Sequence, residues 1–464
     1  MTPSEQKYLS RSSIALPMQV KVGLVVDDVL DASVLRSKYA QMVELWPVLG
    51  GKLLSMFDSR RFQCGSMVDF ECRKVAEDLA SYLPFSWSGS TSPSILLEDS
   101  FGVDRKFEFS VSATSRTISK LRVTTLNDAT LLWFSVCHGL CDGAGAYDIV
   151  RYFSDLVSNR PIPKFVLPPD AIGGRMSDLV RDNREKQAAE TLVRETLNPD
   201  TFVSSHLTAL KFNWKFTMEM LLSSLGLAPK LTDRLVYLPG PWVDEVRVRA
   251  QKELKCSSSE FQGVQLTKND IIAALYLKLV YGARRTSSKP VDYIGPINYR
   301  GLLEASEPDT YYAHNSVILL LCLFSEHELQ TQSIARVAAR IRLATMQYRQ
   351  PAVIKHELRL LEDKALAPAM RDIRGSIKWG SAMVSPWTTF DYMSLDFSGA
   401  ACKGRMPSVV FVNANVSLSF VSFPSPFAIT VKDGAGGYWF RGANTKSGWE
   451  DFELLTSMES LFCT

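Results

Sequence analysis

The sequence lacks an excess of charge of either sign and lacks any long hydrophobic run. Its 464 residues contain 52 Lys and Arg against 49 Asp and Glu, so the net charge is only +3. Proteins that bind nucleic acids usually carry an excess of positive charge, and this sequence does not have one. The longest apolar run, residues 317–324, is far shorter than the roughly 20 residues of a membrane-spanning helix. We therefore expect neither a nucleic-acid-binding protein nor a membrane span.

Paired cysteines are missing as well. The eight cysteines are scattered without a C-x-x-C pair, and Cys137 and Cys141 flank His138 without a second ligand pair at zinc-site spacing. We therefore predict reduced core thiols and neither a metal nor a permanently bound cofactor. The N-terminal residues MTPSEQKYLSRSS contain no apolar stretch of the secretory type. This predicts a cytoplasmic protein.

Strand-like and helix-like patterns alternate along the chain. Residues 19–26 are rich in β-branched side chains, and residues 32–45 carry apolar side chains at helical spacing behind Asp31, a residue type that caps helices. Residues 268–283 form a second strongly apolar helical pattern behind Thr267. The mixture predicts an α/β fold of the mixed α+β kind.

The amino-acid composition changes between residues 161 and 199, where a Pro-rich stretch is followed by a highly charged one. We therefore predict an N-terminal lobe over 1–195, a crossover segment over 196–225 and a C-terminal lobe over 226–464. In the second half, apolar segments predict strands and one terminal helix; the strands are 293–297, 316–324, 408–412, 416–423 and 427–431, and the helix is 449–461.

The sharpest local motif is HGLCDG at residues 138–143, which follows the almost wholly apolar strand pattern 131–136. A histidine titrates near neutral pH, so His138 is suited to take a proton from a hydroxyl or amine. Asp142 and the neighbouring glycines would fix the turn. The alternative is a hydrogen-bonded histidine at a strand-to-helix turn, with Asp142 as a helix cap. The motif alone leaves both interpretations open.

Several separated segments resemble, in order, the motifs of the BAHD superfamily of HxxxD acyl-CoA-dependent acyltransferases and its fungal transferase-family branch. They are Leu16-Pro17, WPVLGGKL (46–53), HGLCDG (138–143), TKNDIIAAL (267–275), INYRG (297–301), YYAHN (311–315) and SPWTTFDYMSLDFSG (385–399). The resemblance covers most of the chain. The segment DFSGA (396–400) keeps the Asp-Phe of the family's DFGWG signature but lacks its Gly-Trp-Gly ending.

The resemblance implies two chloramphenicol-acetyltransferase-like lobes with a channel between them. His138 would deprotonate the acceptor as it attacks the thioester of acyl-CoA, and Asp142 would support the motif structurally. Arg300 is the candidate partner of Asp142 or of Asp396, which is also expected to be structural.

The resemblance also implies an oxyanion donor and pocket residues. Ser385 occupies the place of the hydroxyl in the family's Thr-Ser-Trp segment, and a donor there would stabilise the tetrahedral intermediate. Trp387 and Gly143 are expected to line the substrate pocket. We expect a monomer that uses acyl-CoA as co-substrate and acylates a hydroxyl or amine of a small natural product.

Two other functions stay open at this point. The first is the same fold acting on a carrier-protein-bound thioester, because condensation domains share an HxxxDG motif, or carrying out another chemistry. The second is a binding or structural protein with a vestigial motif. The intact His138 and Asp142 argue against the second, and the altered DFSGA segment argues for it.

Overall fold

The computed structural model of this chain describes residues 7–9, 18–54, 61–83, 91–97, 106–107, 116–182, 186–196, 218, 221–222, 225, 231–256, 259–281, 290–304, 307–363, 382–402, 406–418 and 427–462. All structural statements below concern these residues. Leu16 and Pro17, nearly all of the predicted crossover 196–225, and residues 419–423 of a predicted strand lie outside them.

The strands are β1 Lys7–Leu9, β2 Met18–Val26, β3 Lys52–Leu53, β4 Arg61–Gln63, β5 Phe70–Lys74, β6 Ser94–Leu97, β7 Ser119–Thr125, β8 Thr130–Cys137, β9 Lys164–Phe165, β10 Leu231–Leu238, β11 Pro290–Asn298, β12 Thr310–Tyr311, β13 Val317–Ser325, β14 Ala382–Pro386, β15 Val409–Leu418, β16 Phe427–Lys432 and β17 Tyr438–Thr445. The α-helices are α1 Ala32–Leu45, α2 Leu79–Tyr82, α3 Gly143–Val157, α4 Lys186–Thr196, α5 Gly240–Cys256, α6 Lys268–Tyr281, α7 Glu326–Thr331, α8 Ile334–Tyr348, α9 Pro351–Asp363, α10 Lys446–Glu450, α11 Phe452–Leu455 and α12 Met458–Phe462.

A five-stranded sheet with the order β15-β2-β8-β7-β5 forms the framework of the N-terminal half. Every residue of β8 is buried, because the strand is covered on both faces. Phe134 packs against Phe153 of α3 on one face, and Trp133 packs against Phe107 on the other. The apolar segment is therefore a central strand, and it ends immediately before His138.

A seven-stranded sheet with the order β13-β11-β14-β16-β17-β10-β6 forms the framework of the C-terminal half. Strands β11, β14 and β16 run parallel, so their carboxyl ends meet at one edge. Helix α6 is buried all round from Asp270 to Tyr281 because it packs between this sheet and helices α5 and α8. A helix enclosed in this way is hydrophobic on every side.

Each sheet takes one strand from the other half of the sequence. Strand β15 pairs antiparallel with β2 at the edge of the first sheet, and β6 pairs antiparallel with β10 at the edge of the second. The two sheets are thus linked by exchanged edge strands as well as by the connecting chain.

Several predicted elements are confirmed and two are corrected. Helix α1 has the predicted bounds, and Asp31 caps it by accepting a hydrogen bond from the Ser33 amide. The two strands predicted over 408–412 and 416–423 begin as one strand, β15, because the backbone ladder to β2 continues through the polar Asn413. The single helix predicted over 449–461 is three short helices, α10 to α12, interrupted near Asp451 and Ser457. Within the described ranges, no helix is long and apolar enough to cross a membrane.

Candidate active site

His138 lies at the turn between the central strand β8 and helix α3. Its amide donates a 2.8 Å hydrogen bond to the carbonyl of Met18 on β2, and the Leu140 amide closes the turn by bonding to the Cys137 carbonyl. Only 9% of His138 is exposed. The strand and turn therefore hold the imidazole on a rigid base.

Asn315 fixes the orientation of the imidazole. Its Nδ2 donates to the carbonyl of His138 at 2.7 Å, and its Oδ1 lies 3.0 Å from Nδ1 of the same residue. Because the amide nitrogen is engaged by the carbonyl, the amide oxygen faces Nδ1, and Nδ1 must carry the proton. In the neutral ring, Nε2 then carries the lone pair. This is the tautomer that a general base requires.

The surroundings of His138 keep the ring neutral at neutral pH. Burial lowers its pKa below the ordinary value of 6.5, although the charge of Asp142 and the hydrogen bond to Asn315 oppose the shift. A histidine with a lowered pKa is ready to accept a proton from a substrate.

Asp142 is held by Arg300. Arg300 donates from Nη1 to Oδ2 and from Nη2 to Oδ1, both at 2.8 Å. Burial favours the neutral acid, but the Arg300 guanidinium outweighs it and holds the pKa of Asp142 below its usual value. Asp142 also caps α3, because Oδ1 accepts from the Gly145 amide at 2.9 Å. The sequence left Asp142 and Asp396 open as partners of Arg300, and the structure pairs it with Asp142.

Trp387 connects Ser385 to the start of α3. Its indole Nε1 donates to Oγ of Ser385 at 3.0 Å, and its ring lies on Gly143, where a Cβ would come within 2.5 Å of the ring. Only a residue without a side chain allows this contact. Because Ser385 accepts from the indole, its own hydroxyl proton remains available to another acceptor. Only 3% of Trp387 is exposed.

Asp396 lies apart from this group, at the far end of α3. Its Oδ2 accepts from Arg160 at 2.8 Å and its Oδ1 from the Ser398 amide. Gly399 follows, and a Cβ there would overlap the carbonyl of Val157. The DFSGA segment therefore packs against the end of the helix, about 22 Å along its axis from Gly143.

A second buried pair supports the loop that carries Asn315. Nε2 of His314 lies 3.5 Å from Oδ2 of Asp170, and both side chains are almost fully buried. The carbonyl of His314 accepts from Nη2 of Arg300 at 2.6 Å. The loop that orients His138 is thus tied to the Asp142–Arg300 pair.

A cavity of about 450 Å³ opens on the C-terminal side of this group, at the carboxyl ends of the parallel strands. Arg300 and Pro386, the neighbour of Ser385, line it. Asn269 from the start of α6, Arg342 of α8 and Arg349, which directly follows α8, also line it. Ligands commonly bind at this edge of parallel strands.

The thiols beside His138 do not resemble metal ligands or nucleophiles. Burial raises the pKa of Cys137 to about 11 and also raises that of Cys141, so both are protonated near neutral pH. In the part of the chain described, no three His, Cys, Asp or Glu side chains converge as a metal site.

Neither the role of Asn315 nor the cavity was predicted from the sequence. Asn315 is the last residue of the YYAHN segment, and that position was the available signal. The cavity residues come from α6, α8 and four of the described strands, so no local pattern marks them.

Proteins with similar sequences are fungal. The acetyltransferase peniE of Penicillium patulum is 39% identical over 96% of each chain. The transcriptional regulator calD of Penicillium decumbens is 22% identical over 74% of this chain and 68% of its own. The acetyltransferase adrJ of Penicillium roqueforti is 22% identical over 93% of this chain and 90% of its own. No protein-family model matches the chain.

Solved structures share the fold over nearly the whole length. TRI101 of F. sporotrichioides, complexed with coenzyme A and T-2, superposes with a TM-score of 0.66 at 13% identity over 97% of each chain. Vinorine synthase superposes with a TM-score of 0.59 at 11% identity, over 98% of this chain and 92% of its own. The first condensation domain of the CDA synthetase has a TM-score of 0.51 at 14% identity, over 95% of this chain and 91% of its own.

Proposed function

This chain belongs to the fungal branch of the BAHD superfamily of acyl-CoA-dependent acyltransferases, and from that premise we propose that it transfers an acetyl group from acetyl-CoA to a hydroxyl or amine of a small natural product, with His138 as general base. The similarity to an acetyltransferase over 96% of the chain supports acetyl as the acyl group. The observation that carries the proposal is the pair of hydrogen bonds between Asn315 and His138, which leaves Nε2 of His138 as the basic nitrogen.

His138 would act twice in one turnover. Nε2 removes the proton from the acceptor hydroxyl or amine as the acceptor attacks the thioester carbonyl. When the tetrahedral intermediate collapses and the carbon–sulfur bond breaks, the imidazolium returns that proton to the CoA thiolate. The ring is neutral before and after the reaction, in keeping with a pKa that burial lowers.

Ser385 would supply the oxyanion donor. Its oxygen already accepts from the Trp387 indole, so its proton is free to bond to the oxyanion of the intermediate. Such a donor typically contributes about a hundredfold or more in rate. Trp387 would orient Ser385, and Gly143 would make room for the indole at the edge of the substrate pocket.

Asp142 would be a structural residue. Both of its carboxylate oxygens are engaged by Arg300 and the α3 cap, so it is not positioned to take up a proton. Arg300 and Asp396 would likewise be structural, each holding a turn at one end of α3.

The cavity in the C-terminal half would receive the donor, and the acceptor would reach His138 from the other side. The lobe bounds 1–195 and 226–464, a monomeric state and a cytoplasmic location stay predictions of the sequence. The fold shared with a condensation domain keeps a carrier-bound donor as the competing function.

The proposal is tested by thiol release from acetyl-CoA in the presence of a panel of hydroxylated and amino fungal metabolites. We expect wild type to release CoA with at least one acceptor, and His138→Ala to lose roughly 100- to 10,000-fold in kcat. Ser385→Ala should lose about a hundredfold. If His138→Ala retained wild-type turnover, His138 would not be the general base. If product formed only with an acetyl group bound to a carrier protein, the donor would be that carrier thioester and not acetyl-CoA.

A further inference from the structure

A loop that begins with Trp387 crosses from the seven-stranded sheet to the start of helix α3. This Trp387 loop, residues 387–391, follows β14 directly. On the sheet side, the Trp387 amide donates to the carbonyl of Thr430 on β16 at 2.8 Å. On the helix side, the indole lies on Gly143. The position of the indole, and of its hydrogen bond to Ser385, therefore depends on how the loop packs on α3.

Tyr147 holds the Trp387 loop on the helix. It lies four positions after Gly143, about one turn further along the same face of α3. Its ring stacks on Phe390, with 5.2 Å between the centroids and an interplanar angle of 10°. Its hydroxyl donates to the carbonyl of Asp391 at 3.3 Å. The ring of Tyr392, a residue that is only 1% exposed, meets that of Tyr147 edge-on at 5.0 Å. One side chain of α3 thus contacts three consecutive residues.

The stacked rings extend to Trp387. The centroids of Phe390 and Trp387 are 5.8 Å apart, and the Phe390 amide donates to the Trp387 carbonyl at 3.1 Å. Aromatic rings in contact favour particular relative orientations, so each ring restricts its neighbour. If Phe390 shifted, Trp387 would shift with it, and the hydrogen bond that orients Ser385 would change.

From these contacts we propose that Tyr147 is a positioning residue for the oxyanion donor: it holds the Trp387 loop so that Ser385 directs its proton at the tetrahedral intermediate. The proposal rests on the proposed function, because it takes Ser385 as that donor. Thr389 of the loop lines the cavity, whereas Tyr147 and Phe390 are not among the described residues that line it. Tyr147 therefore acts on the chemical step and not on the binding of the acyl donor.

The kinetic test combines Tyr147 and Ser385 variants in a double-mutant cycle. Tyr147→Leu removes the aromatic ring, and we expect it to lower kcat about tenfold, because a displaced donor stabilises the oxyanion less well. The KM for acetyl-CoA should stay within about twofold of wild type, as for an interaction that strengthens only in the transition state. In the Ser385→Ala background, Tyr147→Leu should lower kcat by no more than about twofold, because the donor that it positions is already gone.

Two further variants separate positioning from packing. Tyr147→Phe keeps the stack on Phe390 and should retain kcat within about threefold of wild type. Tyr152→Leu is the matched control, because it removes a tyrosine ring from the same helix that packs in a different aromatic cluster, around Trp46. Any loss of kcat that it causes should be the same with and without the Ser385 hydroxyl. Thermal unfolding of each variant confirms that it is folded.

A spectroscopic test needs no turnover. In protein labelled with ¹⁵N-tryptophan, the Nε1–H resonance of Trp387 reports its hydrogen bond to Ser385. The resonance is identified by its loss in Trp387→Phe. We expect it to shift in Tyr147→Leu and to keep its wild-type position in Tyr147→Phe and Tyr152→Leu.

The outcomes distinguish this proposal from the proposed function. An unmoved indole resonance in Tyr147→Leu, or an equal loss of kcat with and without the Ser385 hydroxyl, overturns the positioning role and leaves the proposed function in place. A loss in Tyr147→Phe as large as that in Tyr147→Leu overturns the stack as its basis. If wild type releases no CoA with any acceptor although the resonance shifts as expected, the proposed function is wrong, and a role of Tyr147 in oxyanion stabilisation is overturned with it.

Discussion

Arg300 and Asp142, 158 positions apart in the chain, are joined by two hydrogen bonds of 2.8 Å each. The same arginine donates to the carbonyl of His314, next to the Asn315 that holds His138. One ion pair therefore couples the start of helix α3, the end of strand β11 and the loop before β13. The orientation of the His138 imidazole depends on all three.

We expect Asp142→Ala to lower stability as well as activity. The change leaves the Arg300 guanidinium, whose side chain is 27% exposed, without its carboxylate and removes the cap of α3, so the free energy of unfolding should fall by up to about 3 to 5 kcal/mol. Urea titration followed by circular dichroism measures the loss. Glu245→Ala, which breaks the exposed pair with Arg249 on α5, should change it by no more than about 0.5 kcal/mol. Unchanged stability with lost turnover would instead make Asp142 a catalytic residue.

We expect the pH profile of kcat/KM to report the contact between Asn315 and His138. The base must be neutral, so the rate falls as pH drops through its folded-state pKa, which burial places below 6.5. Asn315→Asp sets a carboxylate against Nδ1, favours the imidazolium and raises this pKa. The acid limb should therefore move to higher pH.

Asn315→Leu separates this electrostatic effect from packing. It removes both hydrogen bonds to His138 without adding charge, so kcat should fall about tenfold or more while the acid limb does not move upward. An Asn315→Asp profile that coincides with wild type would refute the role of Asn315 in setting the tautomer.

We expect Gly143→Ala to impair turnover through Trp387. The new methyl group would lie 2.5 Å from the indole ring, so the ring must shift and its hydrogen bond to Ser385 must lengthen. A displaced oxyanion donor should lower kcat by about tenfold to a hundredfold. Gly434→Ala is the control, because its Cβ would meet only ordinary contacts with Met393. Equal kcat values for the two variants would show that the position of the Trp387 ring does not affect turnover.

We expect Lys278 to make the protein more stable as pH rises above neutral. Burial lowers its pKa to about 8 from 10.5, so between these values the unfolded chain holds a proton that the folded chain has released. Stability rises with pH in that window. The neutral amine still has donors for the carbonyls of Leu329 and Gln332, which Nζ contacts at 3.1 and 2.7 Å.

The Lys278 prediction is measured as a difference. Between pH 7.5 and 9.5, the unfolding free energy of wild type should gain about 2 kcal/mol over that of Lys278→Met. Lys446→Met, at a side chain that is 83% exposed, should show no such trend against wild type. If the difference in unfolding free energy between wild type and Lys278→Met did not change with pH, the pKa of Lys278 would not be lowered by folding.

The sequence identified the elements that depend on local patterns. The apolar spacing and Asp31 located α1, and the run before His138 located the end of β8 because a central strand is apolar on both faces. Both interpretations of Asp142 apply together, since it caps α3 and pairs with Arg300. The resemblance to a family supplied what local patterns did not, including the candidate Arg300.

The sequence did not identify features made by distant segments. Asn315 contacts His138 across 177 positions, and nothing near either residue encodes that distance. The pairing of β15 with β2 likewise joins the two ends of the chain. The cavity brings together Asn269 of α6, Arg342 of α8 and Thr430 of β16, which no single stretch of sequence connects.

The exchanged strand β15 sets the order of events when the protein is made. Strand β2 is translated long before β15, so the edge of β2 that will pair with β15 has no partner until residues 409–418 have been made. The first sheet therefore stays incomplete over that interval, and its open edge is exposed to other nascent chains. The turn at His138, whose amide bonds to Met18 of β2, is built on this sheet and reaches its final surroundings only after β15 has joined it.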